Sequence, residues 1–257
     1  GREGGIWLVS TETGDVIQSL TQYDGGSYSP SFKKMIVRNN TLYVAASTDC
    51  GEWTCSSNLH QSRIDAFDFS GNLINSRVTD SAVIRDFDVS ENGTISLALV
   101  SQQDELQQLD ANLNLQWSTS NNTLSAREMR YCGSEGVRFS GVSHVVVCRS
   151  WVLKFDSAGA LLWSNSLRSL MSSKNDYMGE TIAEDYWSPV SLIEIDSDGN
   201  ILLAKTRETV YLGDDDAPRK LGNMDLYYPL TLESDAIIAK LDTMTGNILW
   251  SDDINTS

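Results

Sequence analysis

The sequence predicts an all-β protein: a β-propeller of four-stranded antiparallel blades, about five of them, with the ring left incomplete by this stretch of chain. Three observations predict it. One type of hairpin recurs along the chain, a second type lies between its copies, and the pair repeats at roughly 45 residues, the length of one blade.

The first type is an apolar strand, usually closed by an Asp, then a turn, then a second apolar strand. Its copies are LVSTETGDVIQS (8–19), AFDFSGNLINS (66–76), QLDANLNLQWS (108–118), KFDSAGALLWS (154–164) and KLDTMTGNILWS (240–251). Their turn positions are Gly14, Gly71, Leu113, Gly159 and Gly246. The second type is a turn followed by a strand: NNTLYVAAS (39–47), ENGTISLAL (91–99), SGVSHVVVC (140–148) and SDGNILLAK (197–205). Each follows an apolar strand, FKKMIVR, VIRDFDV, GVRFS or VSLIEID. Alternating polarity and β-branched content mark both types as hairpins.

With blade strands labelled a to d from the axis outward, the second type is a–b and the first is c–d. The chain then reads c–d followed by four rounds of a–b–c–d. This gives an outer hairpin at 6–20 and blades at about 31–78, 83–118, 136–164 and 189–251, in one domain spanning 1–257. The first c–d hairpin has no inner strands of its own, and the last segment is again c–d. The expectation is that further chain, or a neighbouring molecule, completes the ring, because an unpaired strand edge recruits a partner.

The segment KLDTMTGNILW (240–250) resembles the tryptophan-docking repeat of quinoprotein-type propellers. Asp242, Thr245, Gly246 and Trp250 match its spacing, while Lys240 stands where a small Ala is usual. The stretch 234–251 is also similar to propeller repeats of secreted bacterial proteins. Trp117 and Trp163 keep the tryptophan; Gln18 and Asn75 replace it. The resemblance implies that each Trp packs between adjacent blades and that the Thr-Gly turn helps to hold the next one. The quinone, calcium and catalytic Asp of the longer quinoproteins map to no residues here, and no cofactor is expected.

In such blades the b–c and d–a connections share one face, and the tight a–b and c–d turns share the other. The long connections, 46–63, 119–135, 165–189 and 206–235, all fall on the first face. Long loops on a rigid scaffold usually carry binding. They hold Trp53 and His60, Tyr177, Tyr186 and Trp187, and Tyr227 and Tyr228, among Glu52, Glu180, Glu184 and Asp185. Aromatics beside carboxylates suit stacking and hydrogen bonding to a sugar ring or docking of a partner protein. The run Asp214, Asp215, Asp216 is a weak calcium candidate. DSDGN (196–200) opens like a calcium loop but lacks the later ligands, so it reads as a β-turn. His144, inside a predicted b strand, reads as a packed residue.

A net charge of −16 argues against nucleic acid as a partner. No run approaches the ~18 apolar residues of a membrane span. The chain has four cysteines: Cys50 and Cys55 bracket a short loop, and Cys132 and Cys148 flank a hairpin. Both pairs suit local disulfides and an oxidising compartment. Sequons stand at Asn39, Asn92, Asn121 and Asn255. No GxSxG, HExxH or Walker-type loop is present. The expectation is a secreted protein, extracellular or at the cell surface with the periplasm as an alternative. It is a non-catalytic binding or structural module that contacts protein or glycan through the long-loop face. The alternatives are a subunit of an extracellular filament or surface layer, and a carbohydrate-active or quinoprotein-like enzyme.

Overall fold

The computed structural model describes residues 4–9, 12–23, 30–48, 61–80, 82–100, 105–120, 134–148, 151–170, 190–211, 219–221, 224–226 and 231–255. A leading hairpin, β1 (Gly4–Val9) and β2 (Val16–Tyr23), precedes four meanders of four strands each. Blade I is β3 (Pro30–Arg38), β4 (Thr41–Thr48), β5 (Gln61–Asp68) and β6 (Leu73–Asp80). Blade II is β7 (Val83–Val89), β8 (Ile95–Val100), β9 (Glu105–Leu109) and β10 (Leu115–Ser120). Blade III is β11 (Ser134–Ser140), β12 (Ser143–Cys148), β13 (Trp151–Phe155) and β14 (Leu161–Ser166), followed by a 3-10 turn at Leu167–Leu170. Blade IV is β15 (Val190–Ile195), β16 (Ile201–Tyr211), β19 (Thr231–Leu241) and β20 (Ile248–Asn255). A small hairpin, β17 (Arg219–Leu221) with β18 (Met224–Leu226), lies within its b–c connection.

The connection expected at 206–235 is shorter than the sequence suggested. Strand β16 stays paired with β19 as far as Tyr211 opposite Thr231. The alternating β-branched run TRETVY faces TLES and extends the ladder, which local polarity alone disguises as loop.

Each hairpin repeats the same irregularity. Every c–d pair skips one residue beside its turn, between Leu8 and Val9, Ala66 and Phe67, Leu115 and Trp117, Lys154 and Phe155, and Lys240 and Leu241. A bulge bends the strand and increases its twist, so a shared bulge gives successive blades a shared shape.

The core sits between blades rather than within them. One cluster joins Tyr43, Ile64 and Ala66 of blade I to Ile84, Phe87, Leu97 and Leu109 of blade II. A second joins Ala98 and Leu106 to Val137, Val146 and Phe155; a third joins Val145, Val147 and Val152 to Ile193, Leu203 and Leu241. Strand β12 shows why its sequence is almost continuously apolar: His144 to Cys148 are all buried. Val146 and Cys148 pack toward blade II, while Val145 and Val147 pack toward blade IV. Burying each Val, Leu, Ile or Phe contributes about 1.5–3 kcal/mol, so these clusters hold the blades in series. The inner strands β3, β7, β11 and β15 follow one another in contact.

Candidate functional site

Antiparallel meanders send every a–b and c–d turn to one end and every b–c and d–a connection to the other. At the turn end an Asp closes most hairpins. Asp156 Oδ1 accepts the Ala158 and Ala160 N–H groups, each at 2.9 Å. Asp110 Oδ1 accepts Asn112 and Asn114 at 2.8 and 2.9 Å, and Asp68 and Asp242 serve their own turns similarly. Hydrogen bonds from Asn72 and Asn114 hold the Asp68 and Asp110 carboxyls below the usual carboxylate range. Asp196 does the same for the DSDGN turn, accepting Asp198 and Asn200 N–H, and its second oxygen meets Lys240 Nζ at 2.6 Å. Both Asp196 oxygens are therefore engaged, and the turn reading of this segment holds. Among the described residues no cluster of three or more His, Cys, Asp or Glu is arranged to hold a metal.

Tryptophans of the outer strands reach across to the next blade. Trp117 Nε1 donates to Ser157 O at 2.8 Å, and Trp163 Nε1 donates to Thr243 O at 3.1 Å. Each indole lies against the turn glycine of that next blade. A Cβ on Gly159 would stand 2.8 Å from the Trp117 ring, and one on Gly246 would stand 2.7 Å from Trp163. Both glycines also have positive φ, +84° and +73°. Lys154 Nζ joins Trp163 on Thr243 O at 2.8 Å, and Asn165 Nδ2 donates to Gly246 O at 2.6 Å.

The seam between blades I and II lacks the indole. Asn75 stands in the tryptophan position, and Leu113 stands in the glycine position. Leu113 keeps the left-handed backbone, φ +65°, and buries its side chain in the core between these blades. Arg77 Nη1 reaches Leu113 O at 3.4 Å, where an indole N–H donates elsewhere. Hydroxyls complete this seam: Ser62 Oγ accepts Ile84 N–H at 2.9 Å and lies 2.7 Å from Ser47 Oγ.

The inner strands carry a ladder of alternating charge at one level. Lys34 meets Asp86 at 2.9 Å, Asp86 meets Arg138 at 2.6 Å, and Arg138 meets Glu194 at 3.5 Å. Asp86 also accepts the Val137 N–H, and Asp88, two residues on, accepts Phe139 N–H at 2.8 Å. Burial works against the Arg138 charge, but Asp86, Glu194 and Asp88 outweigh it and raise its pKa. Burial raises Asp88 above the ordinary carboxylate value, against the Phe139 hydrogen bond and the nearby Arg138 and Lys34 charges. This ladder was readable only in alignment: Lys34 and Arg138 each lie 52 residues from Asp86, one inner strand apart.

His144 is fully buried. Its Nδ1 lies 3.1 Å from Ser96 Oγ and its Nε2 lies 2.8 Å from Gln108 Oε1, which also accepts Trp117 Nε1. Burial pushes the imidazole pKa down to about 4, with Asp156 opposing. It is a neutral structural link between blades II and III, as its place in a b strand suggested. A polar cleft of about 680 Å³ opens nearby on the turn end, lined in part by Arg38, Asp88, Glu91, Asn92, Gln108 and Phe139.

The residues singled out for binding, Trp53, Tyr177, Tyr186, Trp187, Tyr227 and Tyr228, lie outside the described residues, as do Asp214, Asp215, Asp216, Cys50, Cys55, Cys132 and Asn121. Cys148 is buried and is not a free thiol. Asn39 and Asn92 are exposed at turns on the tight-turn end, and Asn255 ends β20. Trp117 and Trp163 are partly buried between blades; Trp250 is not covered in this way and is 47% exposed.

The sequence matches no protein-family profile and no curated protein. Solved structures do match. A Bacteroides caccae protein of unknown function is 10% identical over 98% of this chain and 69% of its own, with a TM-score of 0.54. The Dos1 propeller is 10% identical over 97% of this chain, with a TM-score of 0.50. This chain spans about half of that protein's length, 51%. At such identity the likeness bears on fold alone. Together with the four-stranded blades it makes this chain a β-propeller.

Proposed function

We propose that this protein is a secreted, non-catalytic β-propeller that binds protein or glycan through its long-connection face. One observation carries the reading. The tight turns, with their Asp caps, gather at one end of every blade, and the long connections leave from the other. The described blades spend their buried residues on packing against one another, so the rigid array acts as a platform for those connections. The connections carry Trp53, Tyr177, Tyr186, Trp187, Tyr227 and Tyr228 amid carboxylates, a composition for stacking on a sugar or anchoring a basic partner.

The secreted compartment is supported by the cysteines. Ser134 pairs with the buried, non-free Cys148, which brings the chain just after Cys132 opposite it and favours a Cys132–Cys148 bridge. Glycans at Asn39 or Asn92 would sit on the tight-turn end, away from the binding face.

The test measures retention of the protein on cellulose, chitin and mannan, and on immobilised basic proteins, for the wild type and for Trp187→Ala and Tyr228→Ala. The expected result is binding to at least one of these surfaces, lost in one or both variants at unchanged thermal stability. Binding that survives both substitutions would move the site to another face.

A further inference from the structure

We propose that the outer edge of blade IV is a docking site for the Gly14 turn of a second copy of this chain. The two halves of the contact are both present, and each copies a half already engaged inside the molecule. Trp163 sits opposite Lys154 in its hairpin, and Trp250 sits opposite Lys240 in the same register beside the same bulge. Trp163 is packed on Gly246; Trp250 is 47% exposed.

The receiving turn is copied as closely. Gly246 has φ +73° and follows Thr245, whose Oγ1 accepts the Asn247 N–H at 3.3 Å. Gly14 has φ +75° and follows Thr13, whose Oγ1 accepts the Asp15 N–H at 3.3 Å. A Cβ on Gly14 would meet nothing within 4 Å, where one on Gly246 would strike the Trp163 ring. Gly14 is thus a docking turn whose place for an indole is open, and Trp250 is an indole without its turn.

The two do not meet within this chain: Trp250 is exposed and the space at Gly14 is open. Trp250 and Gly14 belong to different elements, so the contact between copies is head to tail, not a symmetric pairing of like patches. Lys240 holds Asp196 at 2.6 Å, whereas its counterpart Lys154 holds the docked turn, so the new contact rests on the indole and the glycine. The proposal concerns the blade edge and not the long-connection face, so its failure leaves the proposed ligand face untouched.

The test is sedimentation of the 257-residue chain over a range of concentrations, alone and as Trp250→Ala and Gly14→Asn. Asn tolerates the left-handed backbone, so the second variant keeps the hairpin and fills the place of the indole. The wild type should associate with rising concentration, and each variant should weaken association at least about tenfold, the loss typical of an anchor residue. An equimolar mixture of the two variants should form a one-to-one complex, since one keeps Gly14 and the other keeps Trp250. Monomers throughout would overturn the proposal. So would association that ignores both substitutions, or a wild-type monomer whose Trp250 fluorescence shows it buried by its own chain.

Discussion

Between blades II and III, and again between III and IV, an indole lies where a side chain would otherwise stand on the neighbouring turn. Between blades I and II the side chain, Leu113, stands there, and the indole is missing. The two arrangements fill the same space from opposite sides. Trp117 and Trp163 require Gly159 and Gly246 because a Cβ would fall inside the ring's contact distance. Asn75 leaves room, and Leu113 takes it even with a left-handed backbone that β-carbons disfavour. A degenerate repeat is therefore not a weakened one: the seam changed on both sides. The inner ladder from Lys34 to Glu194 is common to all three seams and does not depend on which outer solution is used.

Removing the common part should have the largest effect. Asp86 accepts from Lys34, Arg138 and the Val137 amide, and its side chain is only 13% exposed. Asp86→Ala strands a buried guanidinium and should cost about 3–5 kcal/mol in urea unfolding. Next come the turn glycines. Gly246→Ala adds both a clash with Trp163 and left-handed strain and should cost about 2–4 kcal/mol, while Gly14→Ala carries only the strain, about 1 kcal/mol. Equal losses at the two sites would mean that the indole yields easily.

The seam between blades II and III should also respond to acid. The pKa of His144 is about 4 in the folded chain and about 6.5 when unfolded. Above pH 6.5 both states are neutral and the stability is complete. As pH falls from 6.5 toward 4 the unfolded chain takes up the proton first, and stability drops by at most about 1.4 kcal/mol per pH unit. Asp88, with its raised pKa, acts in the opposite sense at the acid end, because the folded chain binds that proton first. His144→Gln should remove the slope between pH 6.5 and 5 in denaturation curves. The smallest effect belongs to a turn cap: Asp156→Ala forfeits two amide hydrogen bonds and should cost about 1 kcal/mol in thermal melts.

The blades were legible because hairpins announce themselves locally. The Asp, the turn and the Trp four residues after the turn glycine all fall within one short window, and the glycine-to-tryptophan offset at Gly159–Trp163 and Gly246–Trp250 reports the bulged register directly. The resemblance also pointed to Trp packing between blades. The partners of those contacts were not legible, because they belong to other windows. Trp117 gives no hint that Gly159 is its seat, and Lys34, Asp86, Arg138 and Glu194 look like ordinary strand charges until the inner strands are stacked. The extended pairing of β16 with β19 escaped notice for a related reason: its polar alternation resembles a loop unless the partner strand is known.

The claim that each outer seam is set by a matched pair is tested most directly by converting the first seam into the second kind. Asn75→Trp, Leu113→Gly and the double variant form a cycle, read by equilibrium urea unfolding. Each single change should destabilise, one by crowding Leu113 and the other by emptying its place in the core. The double variant should recover, with a favourable coupling of about 1–3 kcal/mol. Losses that simply add would contradict the account, because the indole and the turn residue would then not share one space.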